Sequence, residues 1–183
     1  LSLYAPIDFF HISEKSTLNE QAILLNRLSP YNLVIASVHK SNLNAWKPYD
    51  ISQNIDVLLQ SIALSHKTIL SIFASPYSLN SLLFSNNFDA LVLGYQNSTI
   101  AQERTAQAIF GGVGFQGKIP VNTKHYKISS GIKTLAIRMN YVIPEEIGIS
   151  SRFLYKVDSI VENAIKERAT PGCQILASKN GHI

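Results

Sequence analysis

Short apolar runs alternate with helix-period stretches through the first two thirds of the chain. Asn32–Val38 is rich in β-branched residues and follows the turn pair Ser29-Pro30, which predicts a buried strand. Lys67–Phe73 and Phe88–Leu93 read the same way, and Leu1–Phe9 is a candidate fourth strand. Between them, Leu18–Leu28 sets Leu18, Ala22, Leu25 and Leu28 on one helical face. Ile51–Leu64 does so with Ile55, Leu58, Leu59 and Ile62. Thr99–Phe110 follows with Ala101, Thr105, Ala108 and Ile109, behind Asn97-Ser98 as caps. Strands apolar on both faces that alternate with helices predict a mainly parallel sheet between helical layers. The expected fold is α/β, a three-layer αβα sandwich of flavodoxin/Rossmann-like kind.

The pattern loosens after Val121. Asn122–Ile149 is irregular, with one short strand candidate at Thr134–Ile137 and a turn at Pro144–Gly148. Ser150-Ser151 then cap a helix over Arg152–Arg168, whose apolar face holds Leu154, Val157, Ile160, Val161, Ala164 and Ile165. Ala169–Gly172 breaks that helix. Cys173–Ser178 predicts a strand leading into Lys179–His182, a two-residue hairpin turn signal. The organisation expected is an α/β domain over 1–122, a linker over 123–149, and the opening segment of a second domain over 150–183.

Composition narrows the partners. Of 183 residues, 46% are hydrophobic and 15% charged, which excludes a disordered chain. Sixteen Lys+Arg against twelve Asp+Glu leave +4, spread along the sequence, so no basic stripe for nucleic acid is expected. The single cysteine, Cys173, excludes an internal disulfide and a cysteine-rich zinc site. The apolar runs are far shorter than the roughly 18 residues of a membrane span. Leu1–Phe10 lacks a basic start and carries Pro6 and Asp8, so it does not read as a signal peptide. The expectation is a piece of a longer protein.

Several motifs dissolve on inspection. Gly112-Val-Gly-Phe-Gln-Gly117 has the spacing of a dinucleotide fingerprint, but a helix precedes it and Pro120 follows, so it reads as a helix-ending loop. Two Ser-x-x-Lys matches, Ser37–Lys40 and Ser130–Lys133, are what chance supplies. Ser37 lies on a strand, where residues three apart face opposite sides. The five histidines never fall within one helical turn, so no metal site and no cofactor is expected. Glu145 and Glu146 are adjacent and point apart, which is no acid/base pair. Open parallel sheets bind ligands at the carboxyl ends of their strands. The loops there are His39–Tyr49, Ala74–Tyr77 and Gly94–Asn97, and their candidates for touching a glycan or a neighbouring domain are Trp46, Tyr77, Tyr95 and Gln96.

Ser29-Pro-Tyr-Asn-Leu-Val-Ile-Ala-Ser-Val-His39, Ile72-Phe-Ala-Ser-Pro-Tyr77 and Ala90-Leu-Val-Leu-Gly-Tyr-Gln-Asn97 arrive in a recognisable order. Ala101-Gln-Glu103, Ala106-Gln-Ala-Ile-Phe-Gly-Gly112 and Gly117-Lys-Ile-Pro-Val121 complete it. The series resembles the C-terminal domain of glycoside hydrolase family 3 over residues 1–122, in its bacterial β-N-acetylhexosaminidase branch. Pro144–Ser151, the helix to Arg168 and Thr170–Ile183 resemble the opening of a serine β-lactamase-related domain, with no Ser-x-x-Lys after Arg152.

The resemblance implies an accessory role. Family 3 enzymes hold their nucleophilic aspartate on an N-terminal β/α barrel, which would be the partner within the same parent chain. In the β-glucosidase branch the acid/base glutamate comes from the loop equivalent to Lys40–Tyr49, and no carboxylate occurs there. The hexosaminidase branch carries that group on the barrel. The implied protein is a periplasmic or secreted glycosidase acting on terminal N-acetylhexosamine, with no catalytic residue on this chain and a glycan at the domain interface. The alternative is an independent flavodoxin-like module for a sugar or a nucleotide.

Overall fold

A computed structural model describes residues 1–2, 4–41 and 49–183. Three strands, β1 (Leu33–His39), β2 (Lys67–Phe73) and β3 (Ala90–Leu93), form one parallel sheet in the order β1-β2-β3. Four helices accompany them: α1 (Leu18–Leu28), α2 (Gln53–Ser65), α3 (Thr99–Ile109) and α4 (Ser151–Lys166). The fold is α/β, with the parallel strands and intervening helices that the alternation predicts.

Local chemistry explains the boundaries. Thr17 starts α1 with a capping box, its hydroxyl accepting from the Glu20 amide while the Glu20 carboxylate accepts from the Thr17 amide at 2.7 Å. Ser98 caps α3 by accepting from the Ala101 amide. β3 begins two residues later than predicted. Asp89 donates its amide to the Thr68 carbonyl and accepts the Thr68 amide at 2.7 Å on its side chain, so its carboxylate takes the place of a ladder carbonyl.

The core lies on one face of the sheet. Val38, Leu70 and Ile72 meet Leu59 of α2 and the turn residues Leu79 and Leu82, and four of these, Leu70, Ile72, Leu79 and Leu82, are wholly buried. A second cluster packs Leu28 of α1 on Leu58 and Ile62 of α2, with Val34 of β1 beside them. The opposite face carries Ser71 and Phe73. There Phe73 touches Gly94, whose hydrogen-side space is bounded by Thr105 of α3. After β3 the chain therefore changes faces, as in doubly wound sheets.

The glycine-rich stretch is a helix terminator. The Gly112 amide donates to Gln107 O and the Gly111 amide to Ala108 O, with Gly111 at φ +74°, which is a Schellman motif. No strand opens into these glycines, so the phosphate-cradle geometry is missing.

Three strand expectations fail. Among the described residues of Leu1–Phe9 no strand forms. Pro6 lacks a ladder donor, and this stretch is held by side chains: Tyr4 stacks on Phe110 at 5.1 Å, and Asp8 accepts from the Tyr31 hydroxyl. Thr134–Ile137 makes only scattered bonds, Thr134 N to Phe115 O and Ile137 N to Gly111 O. Cys173–Ser178 has no neighbour to pair with among the described residues, although the turn after it closes as expected. Lys179 and His182 exchange two backbone bonds of 3.0 Å around Asn180 and Gly181, both at positive φ.

Residues 123–138 run back along the stretch 111–119 and over the turn after β2. Ser129 and Ser130 bond to Ile119, the Lys124 amide bonds to Asn80, and His125 Nε2 meets Leu82 O at 2.7 Å. α4 forms where predicted but buries none of its residues. Its first turn is capped by the Glu145 carboxylate, which accepts from the Ser151 amide, rather than by a serine hydroxyl. That bond holds the Glu145 carboxyl below its ordinary range.

Candidate functional site

The strands end in register at one edge, with His39 beside Phe73 and Leu93 beside Ile72. His39, the segment after β3 and the first turn of α3 meet there, the place where parallel α/β sheets bind ligands. The His39 ring lies flat on Phe73, with centroids 4.8 Å apart and planes 16° from parallel. Its Nδ1 is 3.0 Å from Asn97 Oδ1, which also accepts from Gln102 Nε2 at 2.9 Å. A carboxamide oxygen can only accept, so His39 Nδ1 is the donor in this contact.

Lys40 follows His39 but turns to the N-terminal segment, where its Nζ donates to Glu14 Oε1 at 2.6 Å. The contact holds the Glu14 carboxyl below its ordinary value. Gly94 ends β3 where a Cβ would sit 2.6 Å from the Phe73 ring, so no larger residue fits. Tyr95 follows at φ +60°, a left-handed conformation unusual for a bulky side chain. Its hydroxyl donates to Lys118 O at 2.9 Å, and burial raises the phenol's pKa above its ordinary value.

The described candidates read from the sequence make separate contacts. Tyr77 is 43% exposed and pairs with Tyr49, ring centroids 6.2 Å apart. Tyr95 is drawn toward Lys118 instead, as a strap on the glycine loop. Gln96 is exposed beside it, its amide bonded to Gly94 O. Trp46 lies outside the described residues. What sequence reading missed is the His39–Asn97–Gln102 cluster. Its signal was available: a histidine closing a parallel strand, and an asparagine preceding a helix cap, belong to the same sheet edge.

Three carboxylates around this edge have structural partners. Asp50 accepts from the Ser81 hydroxyl, and Glu14 holds Lys40. Asp56, fully buried, accepts from the Leu83 amide at 3.0 Å and from Gln60 Nε2, and Gln60 in turn meets Phe84 O and Asn87. Among the described residues no three His, Cys, Asp or Glu side chains cluster as metal ligands. No described helix is long and apolar enough to cross a membrane. The arrangement is that of an α/β protein with a polar cluster, His39–Asn97–Gln102, at the carboxyl edge of its sheet. Comparison with family models, curated proteins and solved structures gives no match to this chain.

Proposed function

We propose that this chain is the accessory α/β domain of a bacterial family 3 glycosidase of the β-N-acetylhexosaminidase branch, packing on a catalytic β/α barrel. The observation that carries the reading is the engagement of the acids. Glycoside hydrolysis needs two facing carboxyl groups, about 5–5.5 Å apart for retention or about 6.5–9.5 Å for inversion. Here Glu14, Asp50 and Asp56 each serve a structural contact instead, and Glu103, exposed on α3, has no hydrogen-bond partner among the described residues. The His39–Asn97–Gln102 cluster offers hydrogen-bonding groups at the carboxyl edge, which suit the rim of a sugar cleft completed by another domain.

The experiment is turnover of a chromogenic N-acetylglucosaminide by the purified chain, alone and with a family 3 barrel added in trans. No turnover alone, with co-elution of chain and barrel, is the expected result. Turnover by the chain alone overturns the accessory role. The His39–Asn97–Gln102 cluster favours a second reading, an independent flavodoxin-like module for a sugar or a nucleotide. That reading expects saturable binding of N-acetylglucosamine or a nucleotide without the barrel, lost in His39→Ala. A ligand at 100 times its dissociation constant would stabilise the chain by about 2.7 kcal/mol. A flat thermal-shift screen removes it.

A further inference from the structure

Among the described residues β1 is the outermost strand, paired with β2 alone. The phase of that ladder determines which peptide groups remain. The Lys40 amide donates to Phe73 O, so the even-numbered residues Val34–Lys40 turn their peptide groups toward β2 and the odd-numbered ones turn away. The N–H and C=O groups of Leu33, Ile35, Ser37 and His39 form an outward row, with no backbone partner among the described residues. Nothing blunts this edge. β1 is seven residues long, aligned with β2 throughout, and holds no proline, lysine or carboxylate.

A groove of about 1080 Å³ follows the edge, lined by every residue of β1 and by residues 5–14. One wall is α2, through Leu58 and Ile62, and the other is α3, through Thr105, Ala106 and Ile109. Phe10 and Ile12 of the N-terminal segment pack against Leu58 and Ile62, and the volume that remains beside β1 lies between the two helices.

We propose that this groove receives an extended strand of a partner polypeptide, aliphatic on both faces, which adds to β1 as the fourth strand of the sheet. Three observations select that occupant. The outward row of amides and carbonyls is matched by another peptide backbone and by no acyl chain. The α2 wall is aliphatic, and on the α3 side Ala106 and Ile109 supply the apolar contact, as around the interior strands of parallel sheets. The side chains bearing full charge along the groove are Asp8, Glu14 and Glu103 against Lys40, with Glu14 already held by Lys40, so the excess is acidic and favours a strand with a basic end. A second copy fits badly, because its own β1 is enclosed by the same two walls. The slot stands whether or not the chain serves a glycosidase.

The chain supplies a probe with the required character. The segment Lys67-Thr-Ile-Leu-Ser-Ile-Phe73 is what β1 already pairs with on its other edge, and it begins with a lysine. A fluorescent synthetic peptide of this sequence, titrated with the full chain, should bind saturably by anisotropy. Hydrogen exchange should then slow at the Ile35, Ser37 and His39 amides, while Val34, Ala36 and Val38 are protected before the peptide is added. Ser37→Pro removes one outward N–H and spares the ladder to β2, so it should weaken binding by about tenfold or more, with Ser37→Ala near wild type. Absence of saturable binding overturns the proposal, as does binding without new protection at those three amides. Equal affinity of a folded Ser37→Pro variant also overturns it; should that variant fail to fold, the exchange pattern decides alone. A dimer by light scattering, with the outward amides protected in the free chain, would assign the slot to a second copy and likewise overturn it.

Discussion

Two residues at turns carry conformational demands that a substitution can test. Gly94 has Phe73 where its side chain would be, and Phe73 is 4% exposed, so a Cβ there forces the ring to shift against its neighbours. Gly94→Ala should destabilise the chain by about 1–3 kcal/mol, read as a lower denaturant midpoint with an unchanged slope. Arg168 is the opposite case. It occupies the left-handed position that ends α4, at φ +59°, with the Ala169 amide bonded to Ala164 O and its own amide to Ile165 O. A non-glycine residue there costs about 1–2 kcal/mol. Glycine loses about 0.5–1 kcal/mol more backbone entropy on folding. Arg168→Gly should therefore stabilise α4 by a net of roughly 0.5 kcal/mol, seen as slower amide exchange in its last turn.

Between elements, the buried acid of α2 organises the connection to β3. Asp56 sits in the first turn of the helix, wholly buried, and reaches across to the Leu83 amide. Gln60, one turn on, bonds Asp56, Phe84 O and Asn87, so one helix face holds the loop that brings the chain to Phe88. Removing the acceptor leaves the Leu83 N–H without a partner, at a cost of about 1–3 kcal/mol. Asp56→Ala should show that loss together with fast exchange at Leu83, and Asp56→Asn, which keeps one oxygen, should lose less. Binary patterning alone marks Asp56 as a polar residue near a helix start. Its burial follows from residues 76–87 folding over α2, and that contact spans 27 positions.

At the scale of the whole molecule, the N-terminal segment is fastened to the sheet by side chains, and one fastening is titratable. Lys40 holds the Glu14 carboxyl below its ordinary 4.5. A folded value under the unfolded one means that the contribution is present above 4.5 and is lost as pH falls through the folded value. Glu14 is 49% exposed, so the pair is screened and contributes no more than about 1 kcal/mol. Glu14→Gln should lower the urea midpoint slightly at neutral pH, and the gap to wild type should close as pH falls below 4.5. A gap that widens in acid would show that the lysine contact is not its source.

Helix and strand positions were legible from the chain because they rest on local physics. Periodicity, caps and turn residues act within a few positions, and α1 and β2 appear at the residues their patterns mark. The same holds for the glycine-rich stretch, whose neighbours identify a helix end. The stretch from Asn122 onward was harder. Apolar residues such as Leu135, Tyr141 and Phe153 are 80%, 81% and 68% exposed, so hydrophobicity there does not report burial within this chain. The candidate site was half legible: the loops were identifiable as strand ends, but the meeting of His39 with Asn97 spans 58 positions. Which face of a strand is covered, which edge is left open and which side chains share a mouth depend on contacts between distant segments, and these follow only once the sheet order is set. Local preference determined the pieces, and packing determined which of their surfaces meet.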